Sequence, residues 1–237
     1  MVYGQYLLAS GDDIQVAHVL RDKSVINSTV SSATTTAVKY HGMTDNAEYD
    51  VLLARSYGAT TMGLGASKSL GGAVIRGDAV WIDTMMGHRL QLVMNVTHSW
   101  IWGGRNISGT VEYYFNELGQ SSGRYDYLSL YENTELLNRL ERNESFTLGR
   151  NYLAGGMSIE MNPLWIMMPN VFWNLDDGSA MVQWVTRNSL ADNAELVGAV
   201  NIPVGPTGSE FRGIDASDSG VYFSSDFSVF LQLAWYF

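Results

Sequence analysis

The sequence has no cysteine. Disulfide staples and thiolate metal sites are therefore excluded, which suits an oxidising compartment managed without disulfides as well as a cytosol. Charge is also scarce. Asp, Glu, Lys and Arg make up 16% of the 237 residues, against about a quarter in ordinary soluble domains. What charge there is runs negative, formally −10, so a nucleic-acid partner, which requires a basic face, is excluded. Long hydrophobic runs are missing. The nearest, residues 161–175, is uncharged but broken by Pro163 and Pro169, and it falls short of the roughly 18 to 20 residues a membrane helix needs. A secretory signal is missing as well: Met1-Val-Tyr-Gly-Gln has neither a basic start nor a long apolar core. An exported protein is then expected to stand here in mature or shortened form.

Aromatic residues, by contrast, reach 12%, and 24 glycines outnumber 4 prolines. Low charge with many rings and glycines suits a β-barrel in lipid better than a water-soluble fold. Apolar and polar residues alternate with period two almost throughout, between Gly, Asn, Asp and Pro. In residues 107–116, Ile107, Gly109, Val111, Tyr113 and Phe115 oppose Ser108, Thr110, Glu112, Tyr114 and Asn116. The same pattern predicts about thirteen strands: 2–9, 13–22, 33–43, 47–57, 59–68, 72–83, 89–102, 106–117, 150–160, 164–174, 179–188, 194–204 and 226–237. Most are close to the roughly nine to eleven tilted residues that cross a bilayer. Short turns such as "WGGRN" (102–106) and "LDDGS" (175–179) join many of them, and three connections are longer, at 22–33, 118–149 and 205–225. No linker divides the chain, so residues 1–237 are expected to form one domain.

In this register all seven tryptophans, Trp81, Trp100, Trp102, Trp165, Trp173, Trp184 and Trp235, share the apolar face. Trp165 and Trp173 lie near the two ends of one strand. At about 3.3 Å per residue and a tilt near 40° they stand roughly 20 Å apart in height, the separation of two aromatic girdles.

The chain ends in "DFSVFLQLAWYF". Val229, Leu231, Leu233, Trp235 and Phe237 are apolar at every second place, up to the terminal Phe. This ending resembles the C-terminal insertion signal of bacterial outer-membrane β-barrel proteins, porin-like ones included. "FTLGRNYLAGG", "NPLW" and "NLDDGSA" are likewise similar to stretches of uncharacterised proteobacterial outer-membrane proteins. The resemblance implies an outer-membrane location, contact with membrane lipid and lipopolysaccharide, and recognition by the barrel-insertion machinery. It also implies an all-β fold, a transmembrane antiparallel up-and-down barrel of about 12–14 strands with a short helix in one long outer loop. Physics points the same way, because a lipid-facing strand must have all its backbone groups bonded and the sheet must close. With the last strand descending to the periplasm, all three long connections fall on the outer side. An odd strand number does not fit single-chain bacterial barrels. Either strands upstream are absent, leaving an N-terminally truncated member, or one is miscounted among residues 1–70.

The residues opposite the lipid face are the pore-lining candidates: Arg21, Lys39, His41, Glu48, Asp50, Arg76, Asp78, Glu112, Glu160, Gln183, Arg187 and Glu195. They line either a water-filled pore or a filled barrel in which polar groups pair with one another. The 118–149 connection carries "NTELLNRLERNES", with Asn133 as N-cap, Glu135 in the first turn, Arg142 near the end and Leu136, Leu137 and Leu140 on one helical face. A helix this short must pack on something, either folding into the outer mouth or lying on its rim.

Catalysis is not expected. In "THSW" (97–100) His98 and Ser99 are adjacent and point to opposite sides of a sheet. His18, His41, His88 and His98 form no evident metal cluster, so no metal or cofactor is expected. The functional expectation is an outer-membrane porin-like channel for passive diffusion of ions or small polar solutes. The alternative is a non-conducting barrel acting as anchor, receptor or assembly partner, with a partner protein at its outer loops.

Overall fold

A computed structural model describes residues 1–21, 33–84, 86–121, 125–215, 222–223 and 226–237. Most of the connection expected at 22–33, and part of that at 205–225, lie outside these residues. Two compact units are present, Met1–Met94 and Asn95–Phe237.

The first unit holds β1 (Val2–Leu7), β2 (Asp13–Val19), β3 (Thr35–Thr44), β4 (Ala47–Ser56), β5 (Ala59–Leu70), β6 (Ala73–Thr84) and the start of β7 (Gly87–Trp102). The second holds the rest of β7, β8 (Arg105–Asn116), β9 (Asn151–Asn162), β10 (Trp165–Asn174), β11 (Ala180–Ala191), β12 (Ala194–Val204) and, after a small two-stranded sheet of β13 (Ile214–Asp215) and β14 (Tyr222–Phe223), β15 (Ser228–Trp235). The thirteen long strands form one sheet in which sequence neighbours are sheet neighbours, paired antiparallel from β1 to β6 and from β8 to β15. Each of the thirteen expected strands is found among the described residues. The last strand is shorter than expected. It ends at Trp235, although the Tyr236 amide still donates to the Asn193 carbonyl over 2.8 Å.

Tight turns keep this register. Gly103 and Gly104, with φ of 58° and 74°, close the β7–β8 hairpin in a conformation that side chains with a Cβ adopt poorly. Because side chains alternate, each row of cross-strand partners lies wholly on one face. In the first unit Val16, Val38, Leu53, Met62 and Trp81 form one row of the apolar face. In the second unit Leu153, Gly155 and Ile159 of β9 share their face with Trp173, Val171 and Met167 of β10. The apolar face is largely exposed: Leu64, Val111, Leu231 and Trp235 all have more than half of their surface open.

The described core is small; Ala33 and Ile82 are buried in the first unit, and the largest buried side chains lie in the second, around the segment between β8 and β9. Tyr125 and Leu136 are fully buried there, with Leu118 and Tyr152 nearly so. The segment contains two helices, α1 (Tyr127–Glu132) and α2 (Thr134–Glu141), where one was expected.

Candidate functional site: the charged face and the helical segment

Eleven of the twelve pore-lining candidates project from the face opposite the apolar one, and Arg21 lies just beyond the end of β2. In the first unit a single row runs through Asp13, His41, Asp50, Gly65 and Asp78 across β2 to β6. Asp50 Oδ1 accepts from Lys39 Nζ and meets His41 Nδ1, each at 2.9 Å. A Cβ on Gly65 would lie 2.4 Å from Asp78 Oδ1, so that carboxylate occupies the space the glycine leaves. The next row holds Glu48, Ser67 and Arg76, with the Ser67 hydroxyl donating to Glu48 at 3.4 Å. Arg21 donates to Thr35 Oγ1 at 2.6 Å and lies over the Tyr57 ring. The sequence thus placed these side chains on one face, while the grouping of Lys39, His41 and Asp50 emerges only from the register.

In the second unit Asn95 donates to Glu112 at 3.3 Å and Asn106 to Glu160 at 2.7 Å. Arg187 makes a two-pronged pair with Glu195, at 2.7 and 2.9 Å. Gln183 donates to Asn201 at 2.8 Å. His98 stacks on Trp100, while the neighbouring Ser99 hydroxyl donates to Ser108 at 3.2 Å, so the two point apart.

The helical segment closes on itself at its base. Gln120 N donates to the Leu148 carbonyl at 2.7 Å, and Asn116 N to that of Arg150 at 2.7 Å. This approach requires glycines: a Cβ on Gly119 would lie 1.8 Å from the Gly149 carbonyl oxygen. Local signals set the helices. The Asp126 side chain accepts from Ser129 N and caps α1, and the Asn133 side chain accepts from Leu136 N and caps α2. Leu136 is fully buried, whereas Leu137 and Leu140 are half-buried.

The segment is anchored to the charged face. Asn174 of β10 and Tyr152 of β9 are cross-strand partners on that face. Asn174 Nδ2 donates to the Tyr125 hydroxyl at 2.8 Å and to Glu210 Oε2 at 2.6 Å. The Tyr152 hydroxyl donates to Glu210 at 2.6 Å, and Leu148 N donates to its other oxygen at 2.8 Å. Glu210 N donates in turn to Asp177 at 2.8 Å. Burial pushes the Glu210 carboxyl above the usual carboxylate range, and Asp177 adds to the rise against the pull of the three donors. Burial likewise raises the Tyr125 hydroxyl. Asp176 accepts from Arg150 N, Asn151 N and Asn151 Nδ2, fixing the start of β9. Sequence reasoning placed Glu210 among acids of the outer rim but singled out none of Tyr125, Tyr152 and Asn174, whose bonds with it and with one another join segments far apart in the chain.

The seven tryptophans occupy the apolar face; Trp165 Nε1 there donates to Thr186 Oγ1 at 2.8 Å. Val229, Leu231, Leu233 and Trp235 pair with Val200, Gly198, Leu196 and Ala194 on the same face, and Phe237 lies fully exposed beyond them.

No family model matches the chain, and no curated protein matches it. Solved structures do. One is a porin, 10% identical, with a TM-score of 0.52 over 96% of this chain and 78% of the porin. Another is the NanC porin, 9% identical over 99% of this chain and 98% of that one, with a TM-score of 0.37. The first likeness shows the fold of this chain, an all-β antiparallel up-and-down fold of the porin kind.

Proposed function

We propose that this chain is a porin-like channel of the bacterial outer membrane that passes ions or small polar solutes by passive diffusion. The observation that carries this reading is the division of strands such as β3, β4, β11 and β12 into an apolar face and a face that holds the charges and amides, in a porin fold. Membrane lipid and lipopolysaccharide would cover the first face, and water would fill the space along the second. The charged groups are satisfied locally, as in the Lys39–Asp50 and Arg187–Glu195 pairs, so the lining can face water without large fixed fields of one sign. The apolar alternation of Val229, Leu231, Leu233 and Trp235 supports recognition by the barrel-insertion machinery.

The helical segment supports a mouth narrowed on the side of the long connections. Its anchors are side chains of the charged face, Tyr152 and Asn174, which a helix lying on the outside of the rim would not reach. The same packing also favours a second reading, a non-conducting barrel that acts as anchor or receptor through its loops. Planar bilayers separate the two. The channel reading expects reproducible current steps from the purified chain, and larger steps after deletion of residues 125–146. Silence from both proteins would favour the anchor. Steps of unchanged size in the deletion would refute the narrowing.

A further inference from the structure

The channel reading leaves one set of side chains in the second unit without a role. On the charged face, Gly156 of β9 is opposite Thr110 on one side and Asn170 on the other. Asn170 is opposite Gln183, Gln183 opposite Asn201, and Asn201 opposite Ser228. Thr97 of β7 extends the row, its hydroxyl 2.9 Å from that of Thr110. The row crosses seven strands and contains no charge.

It is also wired in one direction. Asn170 Nδ2 donates towards Gln183 Oε1 at 3.5 Å, Gln183 Nε2 to Asn201 Oδ1 at 2.8 Å, and Asn201 Nδ2 to the Ser228 hydroxyl at 3.0 Å. Gly156 keeps the row continuous, because a Cβ there would lie 2.4 Å from Asn170 Oδ1. Two aromatic rings flank it on the same face. Phe172 lies two residues from Asn170 and Phe230 two residues from Ser228, and each is 51% exposed.

A carboxamide has two N–H donors and an oxygen with two lone pairs. The bonds along the row use one N–H and one lone pair each of Gln183 and Asn201. Each amide keeps one N–H and one lone pair beyond the bonds of the row itself. Neutral donors and acceptors beside phenyl rings match a solute that is uncharged, dense in hydroxyls and has C–H faces. Each such bond is weak in net terms because water must leave both partners. A series of weak sites is what a conducting path needs, favourable enough to enter and loose enough to leave. An ionic solute finds no counter-charge in the row to repay its desolvation.

We propose that this row is a track for neutral polyhydroxylated solutes, carbohydrates or polyols, within the channel. The inference rests on the channel reading, and the test separates the two. In liposome-swelling and bilayer assays of the full chain, glucose serves as the neutral probe, gluconate as the charged one and K⁺ as the ion. The parent protein is expected to pass glucose faster than gluconate. Asn170→Leu with Asn201→Leu, near-isosteric and apolar, is expected to cut glucose flux about ten-fold, the loss of one to two neutral hydrogen bonds, with K⁺ conductance nearly unchanged. Thr110→Val, a milder change on the same row, is expected to reduce glucose flux in the same direction if the double variant fails to fold. Equal glucose and gluconate fluxes in the parent, or variants that lower glucose and K⁺ together, would overturn the track and leave the channel standing. A parent protein that passes neither K⁺ nor glucose would overturn both.

Discussion

Val111 and Leu231 leave 58% and 71% of their surface open on the apolar face of β8 and β15. In water such side chains would be a liability repeated along every strand; among acyl chains they are matched to their solvent. Each is followed in the chain by a residue of the opposite face, Glu112 and Gln232, so the boundary between oil and water is one residue wide. Val111→Arg or Leu231→Arg is therefore expected to cost about 2–4 kcal/mol near the bilayer midplane. Reversible urea unfolding in lipid vesicles measures this. Glu112→Gln, one residue away but on the other face, should cost far less. If both arginine variants proved neutral, the face assignment would fall.

At the scale of elements, the helical segment is held by a few polar contacts to the strands rather than by its own propensity. Two helices of 6 and 8 residues are too short to persist alone. Gly119→Ala would drive a methyl into the Gly149 carbonyl and is expected to cost about 1–3 kcal/mol of local packing, seen as faster proteolysis within residues 125–146. Glu210 adds a pH dependence of known sign. Its folded carboxyl titrates above the ordinary range that it has in the unfolded chain. The packing is then strongest below the ordinary range and weakens as pH rises through the folded value. Protection of the segment from protease should fall as pH rises above the ordinary carboxylate range, and Glu210→Gln should flatten that slope. An identical slope in the variant would mean that another group titrates.

These elements also show where sequence is informative. The strands were legible because alternation is written residue by residue, and α2 because Asn133 and its leucines are neighbours in the chain. The first helix lacked an apolar period long enough to detect. The partners of Glu210 could not be found, since Asn174, Tyr152 and Leu148 lie 36, 58 and 62 residues away. Their meeting is a property of the register, which a single sequence carries only implicitly.

For the molecule as a whole, the same register makes a claim about depth. Seven tryptophans share the apolar face, yet they do not spread evenly along the strands. Trp165 opens β10 and Trp173 lies one residue from its end, while Trp102 closes β7 and Trp235 closes β15. Amphipathic rings at strand ends are stable where hydrocarbon meets headgroups, because the ring is buried and the indole N–H keeps a polar partner. In lipid vesicles, indole emission should be quenched most by phospholipids brominated near the glycerol and less by those brominated at the chain ends. Trp165→Phe and Trp173→Phe should each lower the shallow component, since the two rings stand on opposite sides of the bilayer. Dominant quenching from the chain ends would place these rings at the midplane and shift the strands vertically. No quenching from either lipid, with the protein monodisperse without detergent, would remove the chain from the membrane altogether.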